Sequence, residues 1–141
     1  MSERAPLIPA PVISALELWS PSDPMPALRG TCWMLRPVAP PLPDKPDDML
    51  YEICLGDRIK QIQHPVLGRA VFGTFAGFGE PPSGGGYSQN YVNGNVCEGF
   101  GERKARVDFM CDKAATTPIL QSVLEPDVCT YVLAISSVEA C

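Results

Sequence analysis

Short apolar stretches, separated by turns rich in glycine, proline and polar residues, are the main pattern along the chain. Residues 50–55 and 58–63 flank a Gly-Asp pair, which predicts a β-hairpin. Residues 104–111 and 130–136 are rich in branched or aromatic side chains and predict two further strands, and residues 66–72 predict another. The pattern therefore favours an all-β domain of short strands.

Three segments interrupt this pattern. Residues 1–31 are punctuated by prolines and predict an arm or a partly docked extension, with a helix-compatible stretch at residues 13–19. Residues 37–48 hold five prolines and four charges, which predicts an exposed extended loop. Residues 73–86 are rich in glycine and proline and predict a flexible loop, while the Asn-Gly pair at residues 93–94 indicates a tight turn.

Composition narrows the classes of protein that fit. The 141 residues suit one domain, and 12 glycines with 16 prolines argue against long helices as the main element. A hydrophobic fraction of 45% is enough for a core. The net charge of -5, without a basic stripe, argues against nucleic acid as a partner. No apolar run approaches the roughly 18 residues of a membrane helix, so we expect no direct membrane insertion.

The six cysteines are widely spaced and form no CxxC pair, which argues against a structural zinc site and a redox motif. Their even number predicts three structural disulfides in an oxidising compartment, the alternative being buried reduced thiols in a cytosolic core. Residues 1–11 lack the apolar core of a signal peptide, so we expect the chain to be an excised mature domain. The cysteines are Cys32, Cys54, Cys97, Cys111, Cys129 and Cys141.

Strand parity places several polar side chains on the inward face. Arg103 shares its parity with the apolar residues of the strand at 104–111, Tyr131 lies on the core side of its strand, and Gln61 shares parity with Ile59. An inward arginine needs a partner or a solvated pocket, and Glu125 is a candidate partner. Two interpretations remain open: an ion pair at the rim, or a pocket for a neutral polyhydroxylated ligand.

Short motifs then follow one another in a characteristic order. They are Tyr51-Glu52-Ile53-Cys54, Gln61, Leu67-Gly68, Tyr91-Val92-Asn93-Gly94, Cys97, Arg103, Val107-Asp108-Phe109-Met110-Cys111-Asp112, Glu125-Pro126, Cys129-Thr130-Tyr131 and Cys141. In this order the chain resembles the mannose 6-phosphate receptor homology (MRH) domain, a lectin family, and most closely its erlectin-like lectins of endoplasmic-reticulum-associated degradation. The resemblance covers residues 28–141 and leaves residues 1–27 as a proline-rich arm.

The resemblance implies a flattened β-barrel of two crossed antiparallel sheets. It also implies a specific disulfide pairing, namely Cys32 with Cys54, Cys97 with Cys129, and Cys111 with Cys141. No cofactor and no metal are implied.

The mannose-binding quartet of the family falls on Gln61, Arg103, Glu125 and Tyr131. Mannose differs from glucose in its axial 2-hydroxyl, which the Gln61 amide and the Arg103 guanidinium would read together. Glu125 would accept hydrogen bonds from the 3- and 4-hydroxyls, and Tyr131 would add a hydroxyl contact. Because an epimer would leave a polar group unpaired, such a pocket discriminates between sugars.

The sequence also departs from the family. Degradation lectins carry a tandem tryptophan where this chain has residues 48–50, and we expect the nearby Trp33 to be a core residue instead. Residues 98–102 offer no cationic clamp for a phosphate, and Lys104 and Arg106 are expected on a solvated face. These features weigh against a phosphomannose receptor and leave the preferred mannose linkage open.

An enzyme is the weaker interpretation. The one histidine of the sequence, His64, precedes a proline and is expected at the surface. Asp108, Asp112, Glu125 and Asp127 could supply the paired carboxylates of a glycosidase. The resemblance favours a lectin without catalytic activity.

The sequence therefore predicts a lectin for terminal mannose on trimmed high-mannose N-glycans of misfolded glycoproteins. The family implies residence in the endoplasmic reticulum lumen and a membrane ubiquitin-ligase complex adaptor as a further partner. The runner-up within the family is the mannose-binding module of the glucosidase II β subunit. A degenerate interaction domain without sugar binding is the alternative from another class.

Overall fold

The computed structural model describes residues 17–141, so most of the helix-compatible stretch at residues 13–19 lies outside the described residues. In these described residues there are ten strands, together with three short 3-10 turns at Pro26–Leu28, Pro46–Asp48 and Val138–Ala140. The strands are β1 (Cys32–Leu35), β2 (Leu50–Cys54), β3 (Arg58–Gln63), β4 (Ala70–Phe78), β5 (Tyr87–Asn93), β6 (Val96–Cys97), β7 (Gly101–Glu102), β8 (Lys104–Cys111), β9 (Ile119–Asp127) and β10 (Thr130–Ser137). Within residues 17–141, no helix is long and apolar enough to cross a membrane.

Eight strands form one sheet in the order β1-β2-β3-β4-β5-β8-β10-β9, and β6 and β7 form a small separate hairpin. The two edges of the sheet meet, because the Val38 amide donates to the Leu120 carbonyl at 2.8 Å and the Ala39 amide donates to the Gln121 carbonyl at 3.1 Å. The sheet therefore curls into a nearly closed barrel, which confirms the predicted fold.

One pairing differs from the antiparallel arrangement that was expected. Strand β10 pairs with β8 in parallel, while its other neighbour, β9, is antiparallel to it. The chain leaves β8, forms the edge strand β9 and then turns back to insert β10 between the two. That order of insertion makes β10 run in the same direction as β8.

The core fills the barrel with the alternate side chains of its strands. Ala105, Val107 and Phe109 of β8 are buried, as parity predicts. Trp19, from the described part of the predicted arm, is also buried and packs edge-on against Phe78 at a ring-centroid distance of 5.4 Å. The predicted arm therefore contributes to the core, and the boundary at residues 27 and 28 stays a prediction. Trp33 is partly buried and packs against the core, as expected.

The strand predicted at residues 66–72 and the loop predicted at residues 73–86 are both wrong in their bounds. The observed strand is Ala70–Phe78, so residues 73–78 of the predicted loop belong to the sheet. A Cβ on Gly73 would lie only 2.5 Å from the Tyr91 carbonyl carbon. The glycine therefore permits close approach of two strands. In the sequence alone, such a glycine cannot be told from a glycine in a loop. The strands that the sequence did not predict are β1, β5, β6, β7 and β9.

Three disulfides tie the barrel, and their pairing is the one that the resemblance implies. Cys32 pairs with Cys54 across β1 and β2, Cys97 with Cys129, and Cys111 with Cys141. None of the cysteines is free in the described residues, which include all six. The second bridge joins β6 to the turn between β9 and β10, beside the residues that the sequence predicts to bind sugar.

Candidate functional site

A small cavity of about 80 Å³ opens at one end of the barrel, where β3, β9 and β10 converge. Three of the four predicted sugar ligands, Gln61, Glu125 and Tyr131, line it. The remaining lining residues are Pro41, Tyr51, His64, Leu67, Val123 and Leu124. Residues distant in sequence thus meet at one opening.

Aromatic rings lie beneath this cavity. The Tyr131 ring is 4% exposed and stacks on Phe72 with centroids 3.8 Å apart and planes 3° apart. Tyr51 lies at a centroid distance of 6.0 Å from Phe72 and lines the same cavity. Burial, and then the neighbouring Tyr131, raise the pKa of Tyr51 to about 12. Its hydroxyl therefore keeps its proton at neutral pH and can donate a hydrogen bond.

The Gln61 side chain is held by the turn that follows its own strand. Gln61 is 2% exposed, and its Nε2 donates to the Gly68 carbonyl at 3.0 Å. This bond fixes the amide and leaves Oε1 as an acceptor for a ligand hydroxyl. Gln61 also stands opposite Tyr51 in the register of β2 and β3, so the two side chains reach the cavity side by side.

Arg103 precedes β8 and reaches the cavity through Tyr131. Its Nε donates to the Tyr131 hydroxyl at 3.4 Å, and its Nη1 donates to the carbonyls of Val96 at 3.2 Å and Asn95 at 3.4 Å. The guanidinium is thus fixed by backbone oxygens. Its third nitrogen, Nη2, makes no hydrogen bond within residues 17–141 and can donate to a ligand.

Asn95 is a positioning residue that the sequence did not single out. Its Oδ1 accepts from the Val71 amide at 2.6 Å, while its carbonyl accepts from the Arg103 amide at 3.0 Å. The preceding Gly94 allows this close contact, since a Cβ there would lie 2.4 Å from the Phe72 carbonyl oxygen. The tight turn predicted at residues 93–94 is not seen: Asn93 ends β5 in the left-handed region at a φ of 59°, and the chain continues beside β4, where the Asn95 amide donates to the Val71 carbonyl at 2.9 Å.

Glu125 is exposed, and its Oε2 accepts from the Cys129 amide at 2.8 Å. Among the ion pairs of the described part of the chain, Glu125 does not pair with Arg103, so the predicted rim ion pair is absent there. His64, expected at the surface, is half-buried and lines the cavity. Two backbone amides of the turn that follows donate to its ring nitrogen, an arrangement that the sequence does not display.

The other predicted carboxylates lie elsewhere. Asp108 pairs with Arg106 at 2.9 Å, and Asp127 lines a separate groove of about 510 Å³ on another part of the sheet, with Lys104 and Arg106. Glu125 is the only carboxylate residue lining the small cavity, so no pair suited to glycoside hydrolysis meets there. Within residues 17–141, no group of three His, Cys, Asp or Glu could hold a metal ion.

A nearly closed barrel, three disulfides and a polar opening with an aromatic base define an MRH domain, which is a carbohydrate-binding and not an enzymatic fold. The family described as glucosidase II beta subunit-like protein matches residues 41–141, and the chain belongs to that family. A search of curated proteins finds no match.

Solved structures share the fold. The MRH domain of glucosidase II beta bound to mannose has a TM-score of 0.56 and 22% sequence identity, and the match covers 82% of this chain and 97% of that chain. The MRH domain of Yos9 complexed with alpha3,alpha6-Man5 has a TM-score of 0.55 and 16% identity, with coverage of 100% and 92%. Chicken IGF2R domain 11 has a TM-score of 0.50 and 14% identity, with coverage of 66% and 70%. These similarities concern the fold.

Proposed function

We propose that this domain is a lectin that binds a terminal mannose residue through Gln61, Arg103, Glu125 and Tyr131. The observation that carries the proposal is the convergence of three of these side chains on one cavity, with Arg103 bonded to the third. The family match and the mannose bound to a domain of the same fold support it.

The free atoms around the cavity match the hydroxyls of a neutral sugar. The Gln61 Oε1 and the Arg103 Nη2 are the acceptor and donor for the axial 2-hydroxyl. The Glu125 Oε1 accepts from the 3- and 4-hydroxyls, because its other oxygen already accepts from Cys129. Hydrogen bonds to a charged partner contribute about 1.5–3 kcal/mol each, so Arg103 and Glu125 supply most of the selectivity.

The surroundings set the reach of this site along a glycan. Met49, at the position of the tandem tryptophan of degradation lectins, is buried and cannot serve as an exposed platform. Leu67 and Leu124 are exposed at the rim and provide apolar contact instead. Because aliphatic side chains offer no ring for stacking, we expect modest affinity, dominated by the single terminal mannose.

For the cellular role, we propose recognition of trimmed high-mannose N-glycans on misfolded glycoproteins in the endoplasmic reticulum lumen. In this role the domain would bring such glycoproteins to a membrane ubiquitin-ligase complex adaptor for degradation. The three disulfides suit an oxidising compartment. A second role, as the mannose-binding module of a glucosidase II β subunit, is favoured by the family match over residues 41–141.

The first test is calorimetric titration of the oxidised domain with a mannose-terminated oligosaccharide and with a galactose-terminated control. Arg103→Ala removes the proposed donor, whereas Arg106→Ala removes an arginine of the neighbouring strand that pairs with Asp108. We expect mannose binding to fall at least about 100-fold in Arg103→Ala, since one charge-assisted contact and its orientation are lost, and to persist in Arg106→Ala.

A folded wild type that gives no heat at millimolar mannose would reject the lectin and favour an interaction domain. Equal loss in both arginine variants would place the site elsewhere. If binding holds, affinity capture from lumenal extract separates the two cellular roles, since co-purification of a glucosidase catalytic subunit favours one and of a ligase adaptor the other.

A further inference from the structure

The imidazole of His64 caps the turn between β3 and β4. Its Nδ1 accepts from the backbone amides of Val66 at 3.2 Å and Leu67 at 3.1 Å, and its carbonyl accepts from the Gly68 amide at 3.1 Å. Pro65 has no amide hydrogen to offer, so the next two amides use the ring nitrogen. An Nδ1 that accepts hydrogen bonds carries no proton, which requires the neutral imidazole with its hydrogen on Nε2.

The same turn holds the Gln61 amide. The Gly68 carbonyl, at the end of the capped turn, accepts from the Gln61 Nε2 at 3.0 Å. Val66 and Leu67 are exposed, so apolar packing contributes little to the shape of the turn. Its hydrogen bonds must therefore set the position of Gly68, and with it the direction of the Gln61 side chain.

We propose that His64 is a positioning residue of the sugar site, which orients Gln61 through the turn at residues 64–68 only while its imidazole is neutral. The inference rests on the proposed function, because it assigns a supporting role to a residue that lines the same cavity. Protonation places a hydrogen on Nδ1 opposite two backbone N–H groups, which breaks both cap bonds. The turn then loses the geometry that presents Gln61.

The carboxylate that lines the cavity with His64 also responds to protonation of the imidazole. Across the cavity lie the Glu125 carboxylate from β9 and the hydroxyls of Tyr51 from β2 and Tyr131 from β10. A protonated imidazole is attracted to Glu125, and would draw away the carboxylate that the sugar hydroxyls need. Protonation of one ring thus opposes sugar binding at two of the four ligands.

The pH range follows from the sign of the shift. Burial lowers the pKa of His64 from its ordinary value of 6.5, and the Glu125 charge partly opposes this. The cap is therefore complete above pH 6.5 and is lost as the pH falls through the lowered pKa of the folded domain. If binding requires the neutral ring, mannose affinity falls about tenfold for each pH unit below that pKa.

The experiment measures mannose affinity by calorimetry between pH 7.5 and pH 4.5 for the wild type, His64→Asn and His64→Ala. An asparagine side-chain oxygen can accept from the same two amides and does not titrate. We expect His64→Asn to recover mannose binding at pH 7.5 relative to His64→Ala, and to lose less affinity in acid than the wild type. His64→Ala should bind weakly at both ends of the range.

Nitrogen chemical shifts of the imidazole report the tautomer without any sugar. We expect an unprotonated Nδ1 at pH 7.5. In acid, hydrogen exchange of the Val66 and Leu67 amides should be faster in the wild type than in His64→Asn at the same pH, because only the wild type loses its cap bonds. Identical pH profiles in the wild type and His64→Asn, or wild-type affinity in His64→Ala, would overturn the role of His64 while leaving the lectin intact. Absence of mannose binding by the wild type at pH 7.5 would instead overturn both proposals.

Discussion

Two sets of a buried glutamine and a buried tyrosine in this barrel differ in how their polar atoms are bonded. In the core, the Tyr91 hydroxyl donates to the Gln89 Oε1 at 2.8 Å and accepts from the Gly56 amide at 3.1 Å. At the cavity, Gln61 and Tyr131 are almost as deeply buried, yet Gln61 bonds to backbone and Tyr131 accepts a long bond from Arg103.

The difference lies in what the polar atoms have left to bind. In the core the Tyr91 hydroxyl both donates and accepts, and the Gln89 Nε2, which has no partner in the described residues, is enclosed away from any opening, so this pair serves the fold and stabilises the turn at Gly56. At the cavity, Gln61 and Tyr131 line an opening, and the Gln61 Oε1 makes no hydrogen bond within residues 17–141. Burial alone therefore does not separate a structural polar pair from a binding pair, but the access of the unused atoms to an opening does.

The largest effect on stability is expected when the aromatic ring that packs against each tyrosine is removed. Phe72 stacks on Tyr131, and Phe75, three residues later on β4, packs against Tyr91 at a centroid distance of 5.4 Å. Phe72→Ala and Phe75→Ala should each lower the free energy of unfolding by about 3–5 kcal/mol, through lost burial and a cavity. Denaturant unfolding measures both losses.

The matched pair separates the two regions by their effect on sugar. At a temperature where both variants remain folded, Phe72→Ala should weaken mannose binding because Tyr131 loses its support, while Phe75→Ala should bind as the wild type does. Equal weakening in both would mean that the pocket and the core respond as one unit.

A smaller effect is expected when the core hydroxyl alone is removed. Tyr91→Phe leaves the Gln89 Oε1 and the Gly56 amide without their buried partner, which costs about 1–3 kcal/mol of unfolding free energy. Mannose affinity should not change. Thermal and denaturant unfolding check the first statement and calorimetry the second, and an unchanged stability would show that water or a rearranged Gln89 replaces the hydroxyl.

The sequence predicted well where the local pattern agrees with the tertiary role. The hairpin of β2 and β3 combines alternation with turn chemistry, the strands β8 and β10 are rich in branched or aromatic side chains, and these predictions are confirmed. Parity also placed Arg103, Gln61 and Tyr131 on the inward side, and in the structure Gln61 and Tyr131 are buried while Arg103 is half-buried.

The predictions from the sequence fail where a glycine, or a strand that is distant in the sequence, determines the local structure. Gly73 permits a close approach to Tyr91 that the neighbouring residues in the sequence do not reveal, so the predicted strand ended too early, at residue 72. Asn95 and Tyr51 belong to the site because of their contacts with β4 and β3. His64 belongs to it because backbone amides of the turn donate to its ring nitrogen. Glu125 was predicted as the partner of Arg103 because it lies close to Cys129 in the sequence, whereas backbone carbonyls fix the Arg103 guanidinium.

The smallest and most selective change is the removal of the pocket hydroxyl. Tyr131→Phe keeps the ring stacked on Phe72 and loses only the long bond from Arg103, so unfolding free energy should change by less than about 0.5 kcal/mol. Mannose affinity should fall by about fivefold to tenfold, the value of one hydrogen bond to a sugar hydroxyl together with a less restrained guanidinium. Calorimetry and unfolding of both variants should then separate the two effects, because Tyr91→Phe loses stability and Tyr131→Phe loses mannose affinity. If Tyr131→Phe instead loses stability and keeps its affinity, the pocket tyrosine is structural like its counterpart, and the distinction drawn from unused polar atoms fails.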